Sequence, residues 1–318
     1  MVGLKIRDNI TINDEKPFLK LYLTAIIIIT IFMIIFRIPT YFIPLDYSST
    51  NIFMILLRGK DVDFRILGIW MENGLYGMYV PPSGYIFGHF YLYHFYFIFF
   101  PFYYLPFNIS VYIWDVLRLI SVFYVALNVY KITINKKQVF LFLIFCAIGY
   151  VVDSFLNNSN WLILLLLFES YRQLQKEQKI FSGIFFTLAT FKIIAIFFPF
   201  ILLIVKRIKL KELIYYIVPF SILFLPYFIN PPYFWQMYAN WTVSDLEGSN
   251  LILRFLYTIL KVFEPAQLMF VSFGVFLFSV NIEKEPWKNR VILIGFVVLA
   301  MMFVFYLVLM GSFTRVPT

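Results

Sequence analysis

The sequence predicts an all-α membrane protein with many transmembrane helices and no separate soluble domain. Hydrophobic residues make up 62% of the 318 positions and charged residues 14%, whereas soluble domains are about half apolar and about a quarter charged. Apolar runs long enough to cross a bilayer recur along the chain, and short polar breaks rich in Lys and Arg separate them. These features are typical of a bundle of membrane-spanning helices.

The distribution of charge and the small number of cysteines and histidines disfavour some classes of function. The formal net charge is +9 at pH 7, but the basic residues lie in short clusters between apolar runs. That distribution is typical of cytoplasmic loops and disfavours a nucleic-acid partner. Cys146 is the single cysteine, and His89 and His94 are the two histidines. The sequence therefore predicts neither a disulfide framework nor a cysteine or multi-histidine zinc site.

The candidate spans and the sides of the membrane follow from hydropathy and from the basic breaks. The apolar stretches lie at 18–36, 110–130, 138–152, 157–171, 180–205, 212–229, 265–282 and 291–310. The first has no small-residue cleavage site after it, so we expect it to remain as an anchor with the N-terminus in the cytoplasm. The basic breaks are expected in the cytoplasm, at 131–137, 172–179, 206–211 and 283–290.

Two segments of the chain are expected to form hairpins that turn back at the outer face. Basic breaks on both sides of 138–171 predict a hairpin with its polar tip at 153–160. By the same logic, 180–205 forms a hairpin with its tip near Lys192. Each of its two arms is roughly 20 Å long. The alternative is one tilted helix that buries the Lys192 ammonium near the midplane, at roughly 2.5–3.5 kcal/mol. With both hairpins the bundle has about nine crossings, and Lys192 faces a cavity open to the outside.

A single membrane-embedded domain is expected over 1–318, with its helical core at 110–229. Residues 81–106 must begin and end outside, and their many tyrosines and two histidines predict an interfacial or re-entrant helix. The polar stretches 37–83 and 230–250 are both expected on the outer face.

The outer stretch 37–83 is rich in acidic residues. Residues 46–58 predict a short amphipathic helix with Asp46 either as its N-cap or as a catalytic carboxylate. Asp61 and Asp63 are separated by one residue, a spacing that can hold a divalent cation through oxygen ligands. A solvated loop is the commoner interpretation of that short pattern.

Further polar groups lie in the two predicted hairpins. The tip at 153–160 either lines the cavity or forms a polar turn, and it contains Asp153, Asn157, Asn158 and Asn160. Lys192 either binds an anion, as ionisable residues in apolar segments often do, or extends to the outer interface. Asp115 and Arg118 are expected to pair within their own helix. Carboxylates above a cavity with a lysine below suit an anionic, membrane-borne substrate such as a lipid-phosphate sugar.

Several motifs then occur in a recognisable order. Asp46 is followed by an Arg-Gly pair at 58–59, and "YVPP" stands at 79–82 before an apolar stretch. Residues 157–207 run through a polar tip, an apolar arm, a basic turn, a small-residue arm, a lysine and a basic end. Over 37–260 this order resembles the GT-C glycosyltransferases that use polyprenyl-phosphate sugars. It is most similar to glycosyltransferase family 87 and the GPI mannosyltransferase catalytic subunit.

That resemblance implies a GT-C-like bundle and an inverting transfer of a hexose, with mannose as the expected sugar. The donor would be a polyprenyl- or dolichyl-phosphate sugar and the acceptor a lipid or glycan. Asp46 would act as the general base, and Lys192 and Arg58 would bind the donor phosphate. The candidate contacts to donor or acceptor are Tyr79, Asp153, Asn157, Asn158 and Asn160. Metal use is left open, with Asp61 and Asp63 as the ligands if a divalent cation binds.

The remaining expectations concern location, partners and the competing functions. We expect an integral protein of the cell (plasma) membrane of a prokaryote, with its site on the outer face and membrane lipids but no nucleic acid as partners. The C-terminal helices in 251–318 are expected to be fewer than in many family members. The alternatives are a lipid-linked-sugar flippase or transporter and a non-catalytic membrane scaffold. A transporter is expected to place ionisable groups on both sides of the midplane.

Overall fold

The chain forms helices throughout the part that the computed structural model describes, which is residues 17–43, 51–82, 88–89, 91–132, 136–242, 269 and 272–277. No β-strand occurs in these ranges, so the all-α prediction is confirmed there. The first α-helices are α1 (Pro17–Arg37), α2 (Pro39–Phe42), α3 (Ile52–Gly59), α4 (Val62–Met71), α5 (Gly74–Gly77), α6 (His94–Tyr103) and α7 (Phe107–Ile132). They are followed by α8 (Lys136–Leu156), α9 (Asn160–Gln175), α10 (Lys179–Ala189), α11 (Phe198–Ile204), α12 (Ile214–Ile229) and α13 (Pro231–Thr242). Two 3₁₀ helices occupy Ile193–Phe197 and Leu210–Leu213, and residues 272–277 are also helical.

Four helical segments among the described residues are long and apolar enough to cross a membrane. They are Phe18–Phe42, Phe107–Ile132, Gln138–Leu156 and Leu210–Ile229, and they coincide with predicted spans. The shortest has 19 residues and is roughly 28 Å long, close to the hydrocarbon thickness of about 30 Å. α9 falls in another predicted span but has 16 residues. The predicted spans at 265–282 and 291–310 lie largely or wholly outside the described residues, so the number of crossings stays a prediction.

The described spans assemble around α7. Helices α1, α8 and α9 all pack against it, and its buried face is rich in small and branched side chains. These include Val111, Val122, Val125, Ala126 and Val129. A second row follows from α9 to α10 and from α10 to α12. Because the outward faces of α1 and α12 expose side chains such as Ile28 and Ile222, the bundle presents an apolar surface suited to lipid.

The contact between α10 and α12 depends on Gly183. A Cβ atom at this position would lie 1.7 Å from the carbonyl oxygen of Tyr215, a distance that no side chain can occupy. Close contact at a small residue is the usual way in which membrane helices gain packing energy. Gly183 therefore sets the separation of the two helices.

Substituting Gly183 by alanine is expected to destabilise the fold by about 1–3 kcal/mol, because the helices must separate to admit the methyl group. The matched control is Gly68→Ala in α4, where an added Cβ meets nothing within 4 Å. That control is expected to gain about 0.5–1 kcal/mol from helix propensity. Unfolding of the purified protein by SDS in mixed micelles measures both. Equal shifts in the same direction would show that α10 and α12 are not in close contact at Gly183.

The stretch 180–205 is interrupted at Lys192. α10 ends at Ala189, and Lys192 adopts an extended conformation, with φ −98° and ψ 118°, before the 3₁₀ helix begins. The N–H of Leu92 donates to the carbonyl of Phe191 at 2.9 Å, so a neighbouring segment satisfies part of the backbone that the break exposes. The alternative of one continuous tilted helix is therefore wrong. The break lies where the tip of the predicted hairpin was placed.

Short helices occupy the segments predicted to lie at the outer face. α6, in the predicted interfacial or re-entrant segment 81–106, has 10 residues and is roughly 15 Å long. That is about half of the hydrocarbon thickness. α13 lies in the stretch 230–250, and α2 to α5 lie in the stretch 37–83. Their depth in the bilayer stays a prediction.

The predicted helix over 46–58 is shorter than expected. α3 begins at Ile52, and its N-cap is Asn51, whose side-chain oxygen accepts a hydrogen bond from the N–H of Phe53 at 2.8 Å. Asp46 is therefore not the N-cap of this helix. Asp46 itself lies outside the described residues, so its proposed catalytic role stays a prediction.

Candidate functional site

A network of buried charges joins α1, α7 and the connection between α3 and α4. The guanidinium of Arg37 donates to Asp61 through Nε at 2.5 Å and through Nη2 at 3.0 Å. Its Nη1 lies 2.7 Å from Asp115 Oδ2, and the ammonium of Lys60 pairs with Asp61. All four side chains are at most 1% exposed. Buried charges are costly unless they are paired and hydrogen-bonded, so the network fixes these segments relative to one another.

Arg118 extends the network to the turn between α8 and α9. It pairs with Asp115, which confirms the predicted contact within α7. Its Nη1 donates to Asn157 Oδ1 at 2.6 Å and to the Asp153 carbonyl at 3.3 Å. Asn157 has a φ of 59°, a left-handed conformation that asparagine adopts more readily than most residues. The polar tip at 153–160 is therefore held against α7.

The charged groups lie at one end of the long helices. Arg37 is the last residue of α1, Asp153 is near the C-terminus of α8, and Asp115 is in the N-terminal half of α7. Since these residues belong to one network, the C-terminal ends of α1 and α8 lie beside the N-terminal half of α7. This is the end that the basic breaks predict to face outward.

The network accounts for the ionisation of Asp61. Burial alone would raise the pKa of this carboxyl, but the hydrogen bond from Arg37 and the charge of Lys60 outweigh it and lower the pKa. Burial lowers the pKa of the Lys60 ammonium to about 8, although Asp61 opposes that shift. At neutral pH both groups are therefore charged. Asp61 is an ion-pair partner inside the protein.

Asp61 and Asp63, the candidate ligands for a divalent cation, have different side-chain partners in this arrangement. Asp61 is turned toward Arg37 and Lys60, whereas Asp63 accepts a hydrogen bond from the side-chain amide of Asn158. Across the described residues, no group of three or more His, Cys, Asp or Glu side chains could hold a metal ion. The two carboxylates thus have separate structural partners.

Lys192 lies beside the same polar turn. Its Nζ donates to Asn158 Oδ1 at 2.5 Å and to Asn160 Oδ1 at 2.7 Å, and it lies 5.0 Å from the centre of the Tyr91 ring. The lysine is half-buried, whereas Asn158 and Asn160 are 8% and 0% exposed. The tip of one predicted hairpin is therefore in contact with the break in the other. Amide oxygens and an aromatic face both stabilise the positive charge of the ammonium and hold it at this place.

Two other predicted contacts occupy different surroundings. Tyr79 is 1% exposed, and its hydroxyl donates to the Tyr91 carbonyl at 2.9 Å and lies 2.6 Å from the hydroxyl of Tyr227. Tyr79 is therefore a core residue that supports Tyr91. The half-buried Arg58 donates from Nε to the Met54 carbonyl at 3.3 Å.

Several residues that build this site belong to no motif in the sequence. They include Arg37, Lys60 and Trp114, which donates from its indole N–H to the Asn158 carbonyl at 3.1 Å. An arginine that ends an apolar helix usually reaches toward the interface, so position alone gave no sign that Arg37 is buried. Lys60 is adjacent to its partner Asp61, whereas Trp114 and Asn158 are distant in sequence and no local spacing links them. Comparisons of the chain with protein-family models, with curated proteins and with solved structures found no match.

Proposed function

We propose that this membrane protein is a glycosyltransferase that moves a hexose, expected to be mannose, from a polyprenyl- or dolichyl-phosphate donor to a lipid or glycan acceptor. The position of Lys192 is the observation that supports it most. Its ammonium follows a break in an apolar helical segment and is held by Asn158 and Asn160. A cation placed in this way suits the phosphate of a lipid whose chain remains in the bilayer.

The proposed reaction is an inverting displacement. The acceptor hydroxyl attacks the anomeric carbon and forms the new glycosidic bond, while the bond to the donor phosphate breaks and its electron pair leaves with that phosphate. Asp46 takes the proton of the attacking hydroxyl. Lys192 and Arg58 offset the negative charge that develops on the departing phosphate.

The distribution of charge favours an enzyme over a transporter. A transport path is expected to carry ionisable groups on both sides of the midplane. In the described residues, the fully buried ion pairs lie near the C-terminal ends of α1 and α8 and in the N-terminal half of α7. The pairs Glu169–Arg172 and Lys179–Glu212, toward the opposite side of the bundle, are partly exposed. A scaffold requires no such concentration of polar groups.

The test is sugar transfer in membranes that contain the protein, with labelled polyprenyl-phosphate-mannose as donor and a native extract of lipids and glycans as acceptor. The wild type is expected to produce a new labelled product that membranes without the protein do not form. Asp46→Asn is expected to lower that transfer by about a hundredfold or more, because a general base contributes at least that factor. Glu72→Gln is the matched control, since Glu72 is an exposed carboxylate of the same outer stretch, and it is expected to change the rate less than about twofold.

The outcomes separate the parts of the proposal. Normal transfer by Asp46→Asn would move the base to another residue while leaving the enzyme in place. Equal labelling with and without the protein, across mannose, glucose and galactose donors, would count against a glycosyltransferase. Uptake of the labelled lipid by sealed vesicles without a new product would favour the flippase alternative.

A further inference from the structure

Asn158 has a firmly held backbone. It lies in the turn between α8 and α9, where its N–H donates to the Asp153 carbonyl at 3.0 Å and its carbonyl accepts from Trp114 at 3.1 Å. The preceding residue, Asn157, is held by Arg118. Because these contacts join the turn to both α7 and α8, the side chain of Asn158 projects from a fixed position.

The side chain of Asn158 links a cation to an anion. Its Oδ1 accepts from Lys192 Nζ at 2.5 Å and from the N–H of Ser159 at 2.6 Å. Its Nδ2 donates to Asp63 on α4. A carboxamide carries an acceptor oxygen and a donor nitrogen on opposite sides. Reversing it would set the amide N–H groups against the ammonium and the oxygen against the carboxylate, so electrostatics permit one orientation.

We propose that Asn158 is a positioning residue that holds the Lys192 ammonium in place for the anionic part of the substrate by coupling it to Asp63. The identification of that anion as a donor phosphate rests on the proposed function. One uncharged side chain connects the break after α10 with α4, and the amide orders both charged groups without adding a charge of its own. An aspartate at this position could accept from Lys192 but could not donate to an ionised Asp63.

Two substitutions of similar size act on Lys192 in opposite directions. Asn158→Asp sets a carboxylate beside the ammonium and stabilises its protonated form. Asn158→Leu removes an acceptor from the ammonium and favours the neutral amine. A turn that merely loses its packing would affect Lys192 in the same direction in both variants. The sign of the two effects therefore distinguishes positioning from a purely structural role.

The measurement is the rate at which Lys192 is acylated by an amine-reactive ester, since the neutral amine is the reactive form. The full-length protein is purified in detergent micelles, and modification is quantified by mass spectrometry relative to the exposed Lys176. Asn158→Asp is expected to slow acylation of Lys192 about tenfold, and Asn158→Leu to accelerate it about threefold. The control Asn230→Asp, at the exposed C-terminus of α12, is expected to stay within about twofold. Equal directions for the two Asn158 variants, or no change in either, would overturn the proposal.

Dodecyl phosphate then tests the link to the anion separately from the reaction. It is expected to protect Lys192 from acylation in the wild type and to protect it at least about fivefold less in Asn158→Asp. Equal protection in both would overturn the positioning role. If the two variants act in opposite directions but dodecyl phosphate protects neither protein, Lys192 is not a phosphate-binding residue and its role in the proposed reaction fails, while its coupling to Asn158 stands.

Discussion

Replacing Lys192 by methionine is expected to lower kcat/KM for transfer from a polyprenyl-phosphate sugar by about 10²–10³. Negative charge accumulates on the donor phosphate as its bond to the sugar breaks, and an ammonium in a water-poor site stabilises that charge strongly. Methionine keeps an unbranched chain that fills similar space. The side-chain oxygens of Asn158 and Asn160 each lose the hydrogen bond that Lys192 donates. This loss is expected to lower the free energy of unfolding by about 1–3 kcal/mol. The measurement is initial rate against donor concentration in membranes with equal amounts of each variant.

Two further variants control for charge and for position. Lys179→Met removes a lysine from the start of α10, where it pairs with Glu212 and its side chain is 37% exposed, and it is expected to leave transfer within about twofold. Lys192→Arg keeps the charge but replaces a point charge by a planar fork, so an intermediate rate is expected. A Lys192→Met variant that retains more than half of the wild-type kcat/KM would remove Lys192 from the mechanism.

The proximity of Lys192 to the polar turn could be predicted because it follows from topology. Basic residues on the two sides of each hairpin place both tips at the same end of the bundle. The structure brings the Lys192 ammonium within 2.7 Å of an asparagine oxygen that lies 32 residues earlier. The distribution of basic residues gives the orientation of whole segments, so it could predict that the two tips lie close together. It could not specify which of the polar residues at the tip contact Lys192.

The partners of Asp61 could not be predicted in the same way. Arg37 lies 24 residues away in sequence, and it reaches Asp61 only because α1, α4 and α7 meet at one end. Asp61 precedes α4 in a left-handed conformation with a φ of 60°, whereas Asp63 lies inside the helix and accepts from Asn158. The spacing of the two aspartates carried no information about which one is buried.

The residue at which α3 begins could not be predicted from the local sequence. Residues 46–51 read "DYSSTN", and five of these six residues are of types that make good N-caps. Local chemistry therefore could not decide among them. The structure begins the helix after Asn51, which leaves Asp46 without the capping role that competed with its catalytic one.

Replacing Asp115 by asparagine is expected to destabilise the protein by about 3–5 kcal/mol, which is the usual cost of removing one partner from a buried ion pair. Asp115 pairs with both Arg37 and Arg118. Asparagine preserves the shape but leaves the two guanidinium groups with one negative charge fewer, at a place where they are at most 1% exposed. Unfolding by SDS in mixed micelles, followed by tryptophan fluorescence, measures the change.

The chain provides a matched pair for that measurement. Glu169 and Arg172 have the same spacing on α9 as Asp115 and Arg118 on α7, but their side chains are 11% and 34% exposed. Glu169→Gln is expected to cost less than about 1 kcal/mol, because solvent screens the remaining charge. Equal costs for the two variants would mean that Asp115 is not part of a buried network. A large cost at Asp115 alone, together with altered acylation of Lys192, would show that the network also holds the turn through Arg118 and Asn157.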